Sequence, residues 1–213
     1  MEEHTEHQAG GEVRENAPVI FRTLIENKLI EGSVRGDTGS QKAFYAQFAS
    51  KILGLCCRYS SSEKDSLSMC VFVFRELFKE MKHIPKDYEL QKWVTNRTIW
   101  GAIKYLHQDK HTFFIAKTTR YEENKPSYPE IDESALTIES RRAIYLAALQ
   151  SLTPSYRILY NLTYIDEIPQ KEILNELQMA AETYKAELEQ ARYQFKKQLN
   201  VTNYEYKRAR GEN

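Results

Sequence analysis

Apolar residues recur at three- and four-residue spacing through most of this 213-residue chain, which is the period of helices that bury one face. The clearest run extends from Leu152 to Leu199 and contains three such segments with short breaks between them. Pro169 marks the first break, because proline cannot continue a helix as an interior residue and suits the first turn of the next one. The third segment is predicted to begin near Ala181. A short helix, a tight turn and a longer helix are the layout of a helix-turn-helix, whose second helix can lie in a DNA major groove.

The region before this run predicts four further helices, each with an apolar stripe. The stripes contain Leu24, Ile25, Leu29 and Ile30 in the first helix, Phe44, Phe48, Ile52, Leu55 and Cys56 in the second, Leu67, Cys70, Val71, Phe74, Leu77 and Phe78 in the third, and Leu90, Trp93, Val94, Ile99 and Trp100 in the fourth. Ser62 or Asp65 is expected to cap the third helix, because a short side-chain oxygen can accept a free backbone amide. Strand-like alternation is scarce, so the predicted fold class is all-α.

Residues 108–136 differ from their surroundings, because they carry two prolines and little apolar periodicity. We interpret them as a polar linker between two small helical domains. The residues after Leu199 are polar and are expected to be frayed. The predicted organisation is a disordered tail at 1–18, a helical domain at 19–107, the linker at 108–136, a helix-turn-helix domain at 137–200 and a polar tail at 201–213.

Charge is balanced, with 30 basic and 30 acidic residues, so bulk electrostatics predict no general attraction to nucleic acid or membrane. Any nucleic-acid binding must therefore come from local patches. The longest apolar run, Met69 to Phe74, is far too short to span a bilayer, and no membrane insertion is expected. The three cysteines form no C-x-x-C pair and lie within apolar helical pattern, which favours buried reduced thiols and a cytoplasmic location.

Motifs for bond chemistry are not found. The sequence contains no Gly-rich phosphate loop, no H-E-x-x-H and no G-x-S-x-G motif, so we do not expect an enzyme or a cofactor. His83, His107 and His111 have no ligand partner at metal-binding spacing, so no metal site is predicted.

Several short motifs resemble, in order, those of one known family. They are Leu152-Thr153-Pro154, Tyr156-Arg157, Tyr160-Asn161-Leu162, Glu172-Ile173, Thr183-Tyr184-Lys185 and Ala191-Arg192. Together with the order of helical unit, linker and helix-turn-helix, they resemble the extracytoplasmic-function (ECF) group of the bacterial RNA polymerase sigma-70 superfamily, over roughly residues 27–199. Where that family usually has an acidic pair and a glutamine on its polymerase-docking helix, this chain has Leu67, Ser68 and Val71. Where it usually has Asn, Asp and Arg in the part that reads the minus-ten element, this chain has Trp100, Lys104 and His107.

The resemblance implies a protein that binds core RNA polymerase and both double- and single-stranded promoter DNA, and thereby directs transcription initiation. Candidate residues for the minus-ten region are Lys82, His83, Lys86, Tyr88, Lys92, Arg97, Lys104 and His107. Candidate residues for upstream DNA are Gln170, Lys171, Thr183, Lys185, Gln190, Arg192, Lys196 and Lys197. Candidate polymerase contacts are Leu67, Val71, Phe74 and Phe78, which fit either a core or a partner-facing surface. Trp93 is favoured as a core residue, and the lysines also fit a solvated helix face.

Two other functions remain open on these residues. A sigma-like factor without its own promoter selection could be brought to DNA by a recruiter, such as an RNA-guided DNA-binding protein. A helical interaction module that binds no DNA is the other alternative, because Glu182, Glu187 and Glu189 would repel phosphates along the predicted recognition helix. An anti-sigma factor is a further candidate partner.

Overall fold

The computed structural model describes residues 23–85, 88–108 and 136–211, and within them all regular structure is helical. The all-α prediction is confirmed for this part of the chain. The helices are α1 (Leu24–Val34), α2 (Thr38–Tyr59), α3 (Glu63–Glu80), α4 (Leu90–Gln108), α5 (Ile138–Gln150), α6 (Pro154–Tyr160), α7 (Gln170–Glu176) and α8 (Ala181–Ala209). A 3-10 turn (Met81–His83) follows α3, and a π-helical turn (Asn161–Ile165) follows α6. The predicted tail at 1–18 and residues 109–135 of the predicted linker lie outside the described residues.

Side-chain caps fix several helix starts. The Thr23 side chain and the Glu26 carboxylate form a capping box at α1. The Asp37 carboxylate accepts from the Ser40 amide at 2.7 Å at the start of α2. Of the two residues expected to cap α3, Ser62 is the cap, and its hydroxyl accepts from the Asp65 amide at 3.2 Å. Each contact satisfies an amide that the first helical turn leaves free.

The apolar core is centred on α2, α3 and α4. Its most deeply buried α3 residues are the row Met69, Val73 and Leu77, all at most 2% exposed. Leu67 and Val71 of the predicted α3 stripe were open between core and a partner-facing surface, and the structure excludes the core, because they are 51% and 72% exposed. With about 3.6 residues per turn, these two lie more than a quarter-turn away from the buried row.

The stripe predicted for α1 was wrong in its first turn. Leu24 and Ile25 are each 79% exposed, whereas Ile30 is buried in the core. Only the second half of this short helix therefore contributes to the core.

Helices α1–α4 and α5–α8, called here the N-terminal and C-terminal halves, share one core. Ile158, Leu159, Leu162 and Ile173 of the C-terminal half belong to the same buried cluster as the α2–α4 residues. A second, smaller cluster around Phe195 joins α5, α6 and α8. The two halves that the sequence predicts as tethered domains therefore pack against each other, while the predicted domain boundaries themselves stay a prediction.

Helix α8 runs ten residues past Leu199, where the sequence predicted fraying. That prediction was wrong. Asn203 is buried, and the Tyr206 hydroxyl lies 2.8 Å from the Ser140 hydroxyl at the first turn of α5. These contacts hold the polar end of α8 against α5. Among the described residues, no helix combines the length and apolarity that crossing a membrane would require.

Replacing Tyr206 by phenylalanine is expected to lower the free energy of unfolding by about 1 kcal/mol, since the ring stays and only the hydroxyl contacts are lost. Urea denaturation of the two proteins measures the difference. Tyr164→Phe, at an exposed tyrosine of the π-helical turn, is the control. A loss as large for Tyr164→Phe as for Tyr206→Phe would contradict this role for the Ser140 contact.

Candidate partner and nucleic-acid surfaces

An apolar groove lies between α2 and α3, and we call it the α2–α3 groove. Its volume is about 350 Å³, and it is lined by Tyr45, Ala49, Ser50, Leu53, Leu67, Cys70, Val71 and Phe74. Three of the four predicted polymerase contacts therefore meet in it. The fourth, Phe78, does not line the groove and packs instead against the Phe44 ring, with ring centroids 5.5 Å apart.

The floor and walls of the groove differ in exposure. Phe74 is buried, and its ring lies 4.7 Å from the ring of Tyr45, centroid to centroid. Leu67 and Val71 stand exposed on the α3 side. Among the residues that the structure describes, no charged side chain lines the groove. A groove between two helices with exposed apolar walls has the shape and chemistry to receive an apolar helix face.

Three of the predicted minus-ten cations, Lys92, Arg97 and Lys104, are paired with carboxylates. The ion pairs join Lys104 and Lys79 to Glu76, Arg97 to Glu80 at 3.3 Å, and Lys92 to Glu89 at 3.0 Å. Lys82 and His83 are exposed and make no ion pair within the described part of the chain. Lys86 lies outside the described residues. The positive charge available to phosphates on this surface is therefore much smaller than the sequence predicted.

Glu76 is the most strongly perturbed carboxylate of this surface. Hydrogen bonds from the Lys104 and Lys79 ammonium groups lower its pKa from 4.5 to about 2. A carboxyl group whose pKa is lower in the folded than in the unfolded state stabilises the fold above its unfolded pKa and loses that contribution as pH falls.

We therefore expect Glu76 to make folding less favourable as pH falls from about 4.5 toward 2. The contribution is about 1 kcal/mol, because both lysine partners are more than half exposed to solvent. Denaturant unfolding at pH 7 and pH 3, for the native chain and for Glu76→Gln, measures it. The variant should lose less stability between the two pH values, and identical losses would contradict the expectation.

The aromatic residues near the predicted minus-ten positions divide between core and surface. Trp93 is buried, so its expected place in the core is confirmed. Tyr88 is exposed, ahead of α4. Trp100 is half-buried, and its indole N–H donates to Glu172 Oε1 at 3.3 Å. The Asn96 side-chain amide donates to the same oxygen at 3.5 Å. Helix α7 therefore contacts the side of α4 that carries the predicted minus-ten residues.

A cavity of about 280 Å³ lies beside this contact. Its lining includes Arg97, Trp100, Lys104 and His107 from α4, Glu76 and Glu80 from α3, and Glu176 from α7. Burial lowers the pKa of His107, which favours its neutral form. The cavity is thus bounded by both halves of the protein and by groups of both charges.

Helix α8 presents a mixed-charge stripe to solvent. The prediction that it begins near Ala181 is confirmed, and it follows a glycine-free connector in which Gln178 has a φ of 50°. Lys185, Arg192 and Lys196 are exposed, but so are Glu182 and Glu189. The remaining upstream candidates are Gln170 and Lys171, exposed in the first turn of α7, and Thr183, Gln190 and Lys197, which are partly buried on α8.

The sequence did not indicate the polar contacts that hold the two halves together. Asp166 accepts from Arg58 Nη2 at 2.6 Å and from the Tyr59 hydroxyl at 2.7 Å, and we call these contacts the Asp166 clasp. The Asn161 side-chain amide donates to the Arg58 carbonyl at 3.0 Å, and Gln150 Nε2 donates to the Cys57 carbonyl at 3.1 Å. The partners are about a hundred positions apart in the chain, so no local pattern links them.

Within the described residues, no group of three or more His, Cys, Asp or Glu side chains could hold a metal ion. All three cysteines are free thiols, and Cys56 and Cys70 are buried.

No family model matches this chain, and no curated protein matches it. The solved structure of CnrH in complex with the cytosolic domain of CnrY is similar to it, with 12% sequence identity, a TM-score of 0.43, and coverage of 81% of this chain and 96% of that chain. A similarity at this level assigns neither a family nor a function to the chain.

Proposed function

We propose that this chain is an ECF-like sigma factor that binds core RNA polymerase through the α2–α3 groove and promoter DNA through α4 and α8. The supporting observation is the groove itself. Leu67 and Val71, at positions where the resembling family has polar docking residues, are exposed beside the buried Phe74 ring. An apolar contact thus takes the place of a charged one, and it buries surface that would otherwise face water.

Upstream promoter DNA is expected to contact α8. Lys185, Arg192 and Lys196 recur at helical spacing on its exposed side, where they can meet phosphates. Gln170 and Lys171 lie on the preceding helix, as the first helix of a helix-turn-helix contacts the backbone in known complexes. Phosphate contacts of this kind give affinity that falls steeply with salt.

A second candidate is a sigma-like factor that binds polymerase but relies on a recruiter for its position on DNA. The pairing of Lys92, Arg97 and Lys104 with carboxylates favours it, because paired cations contribute little to phosphate binding. Glu182 and Glu189 lower the net positive charge of the α8 stripe further. A DNA-targeting protein, such as an RNA-guided one, would then supply the sequence selection.

Capture of purified bacterial core RNA polymerase on the immobilised chain tests the shared part of both candidates. Retention of polymerase is expected, and its absence would leave only a helical interaction module. Promoter-fragment binding by the complex over a salt series separates the two candidates. Sequence-preferring binding that weakens steeply with salt supports the promoter-selecting factor. Polymerase capture without sequence preference supports the recruited one.

A further inference from the structure

We propose that α7 masks the α4 surface on which single-stranded DNA would stack, so that the free protein is held in a DNA-excluding form. The inference rests on the proposed function, since it concerns the same α4 surface. It adds that the C-terminal half of the chain itself covers this surface, through Glu172 and Glu176. Three features of the structure support this proposal.

The first feature is the occupation of the α4 aromatic and amide groups by one carboxylate. Glu172 Oε1 accepts both the Trp100 indole N–H and the Asn96 amide N–H. A nucleobase stacks on an aromatic ring and uses neighbouring donors for its acceptor atoms. While Glu172 stays in place, Trp100 is only partly accessible and both donors are engaged.

The second feature is the sign of the charge that α7 brings. Glu176 lines the same cavity as Arg97 and Lys104 of α4, and Glu172 contacts Trp100, which lines that cavity too. Carboxylates and phosphates carry charge of the same sign and are bound by the same cations. Glu176 therefore competes with a DNA backbone for the cavity, and the charge of Glu172 beside Trp100 repels that backbone.

The third feature is the attachment of the segment before α7 to the end of α2. Both carboxylate oxygens of Asp166 are held, one by Arg58 and the other by the Tyr59 hydroxyl. The Asp166 side chain is only 6% exposed. The Asn161 amide adds a contact to the Arg58 carbonyl from within the π-helical turn. Helix α7 begins four residues after Asp166, so the Asp166 clasp holds it over α4 and must strain or open when α7 leaves.

A single substitution tests the mask in the full-length protein. Glu172→Ala removes the acceptor of both α4 donors, and Glu205→Ala removes the same charge from an exposed site near the end of α8. Binding of a fluorescein-labelled single-stranded DNA oligonucleotide is measured by anisotropy. We expect about tenfold tighter binding for Glu172→Ala than for the native chain, and less than twofold for Glu205→Ala.

A second measurement reports directly whether Trp100 becomes accessible to solvent. The chain has two tryptophans, so a Trp93→Phe background leaves Trp100 as the sole indole. Acrylamide should quench the Trp100 fluorescence more strongly in Glu172→Ala than in its parent. Unchanged quenching would overturn the mask. Greater quenching with unchanged DNA affinity would overturn it too, because the uncovered surface would not be one that DNA uses.

A conservative variant keeps the test valid if Glu172→Ala does not fold. Glu172→Gln retains the side-chain shape and loses only the charge, and about threefold tighter oligonucleotide binding is expected. Equal affinity of Glu172→Gln and the native chain would then overturn the mask. Polymerase capture by the same variants identifies a failure of the proposed function separately, since the α2–α3 groove lies on other helices.

Discussion

Replacing Val71 by aspartate is expected to weaken capture of core RNA polymerase by about a hundredfold, which corresponds to about 3 kcal/mol. Val71 is 72% exposed and lines a groove without charged side chains. A carboxylate that a partner covers in such a groove loses its hydration without gaining a counter-charge. The free protein is expected to keep its free energy of unfolding within about 0.5 kcal/mol, because the site is open to water before binding.

Gln47→Asp is the matched control for this substitution. Gln47 is exposed on α2, its replacement adds the same charge, and it does not line the groove. Titration of labelled chain with core polymerase gives both affinities, and denaturant unfolding gives both stabilities. Equal loss of affinity in the two variants would indicate a general charge effect. Full affinity in Val71→Asp would remove the groove from the proposed polymerase interface.

Replacing Asp166 by alanine is expected to lower the free energy of unfolding by about 3 kcal/mol. The substitution leaves the Arg58 guanidinium without its ion-pair partner and the Tyr59 hydroxyl without its acceptor. Tyr59 is fully buried, and burial together with the neighbouring Asp166 charge raises its pKa well above the usual value. A buried donor that loses its acceptor costs more than an exposed one, because water cannot replace the partner.

Glu167→Ala, at the next position, provides the comparison for Asp166→Ala. Glu167 is exposed, so its loss is expected to change the free energy of unfolding by less than about 0.5 kcal/mol. Urea unfolding followed by circular dichroism measures both variants. A loss below about 1 kcal/mol in Asp166→Ala would mean that the Asp166 clasp contributes little to packing of the two halves.

The sequence predicted helix starts well because their signals are local. Ser62 caps α3 within three residues of its own position, and the break before Ala181 lies within one short segment. The burial of Trp93 also followed from its place in a helical stripe. Such features depend on backbone amides and apolar spacing that a short window of residues contains.

Contacts between distant segments could not be read in the same way. An apolar stripe records that a helix face avoids water, but it does not say whether the covering surface belongs to the same chain. The sequence therefore left Leu67 and Val71 open between the core and a partner-facing surface, and the structure shows them exposed. The cations of α4 looked free for DNA, because their partners Glu76 and Glu80 lie on a different helix. The end of α8 looked frayed, because the polar contact of Tyr206 is with Ser140.

The length of α8 connects its exposed end, which carries Lys185, with its contact to the start of α5. At about 1.5 Å per residue, its 29 residues make a rod of roughly 43 Å. One end carries the exposed mixed-charge stripe that includes Lys185. The other end contacts the first turn of α5 through Tyr206 and Ser140. Because Tyr184, Ala191 and Phe195 are buried along its length, the rod is also held between its ends. Under the proposed function, a duplex bound near Lys185 would therefore load the packing of α8 on α5 and α6 together.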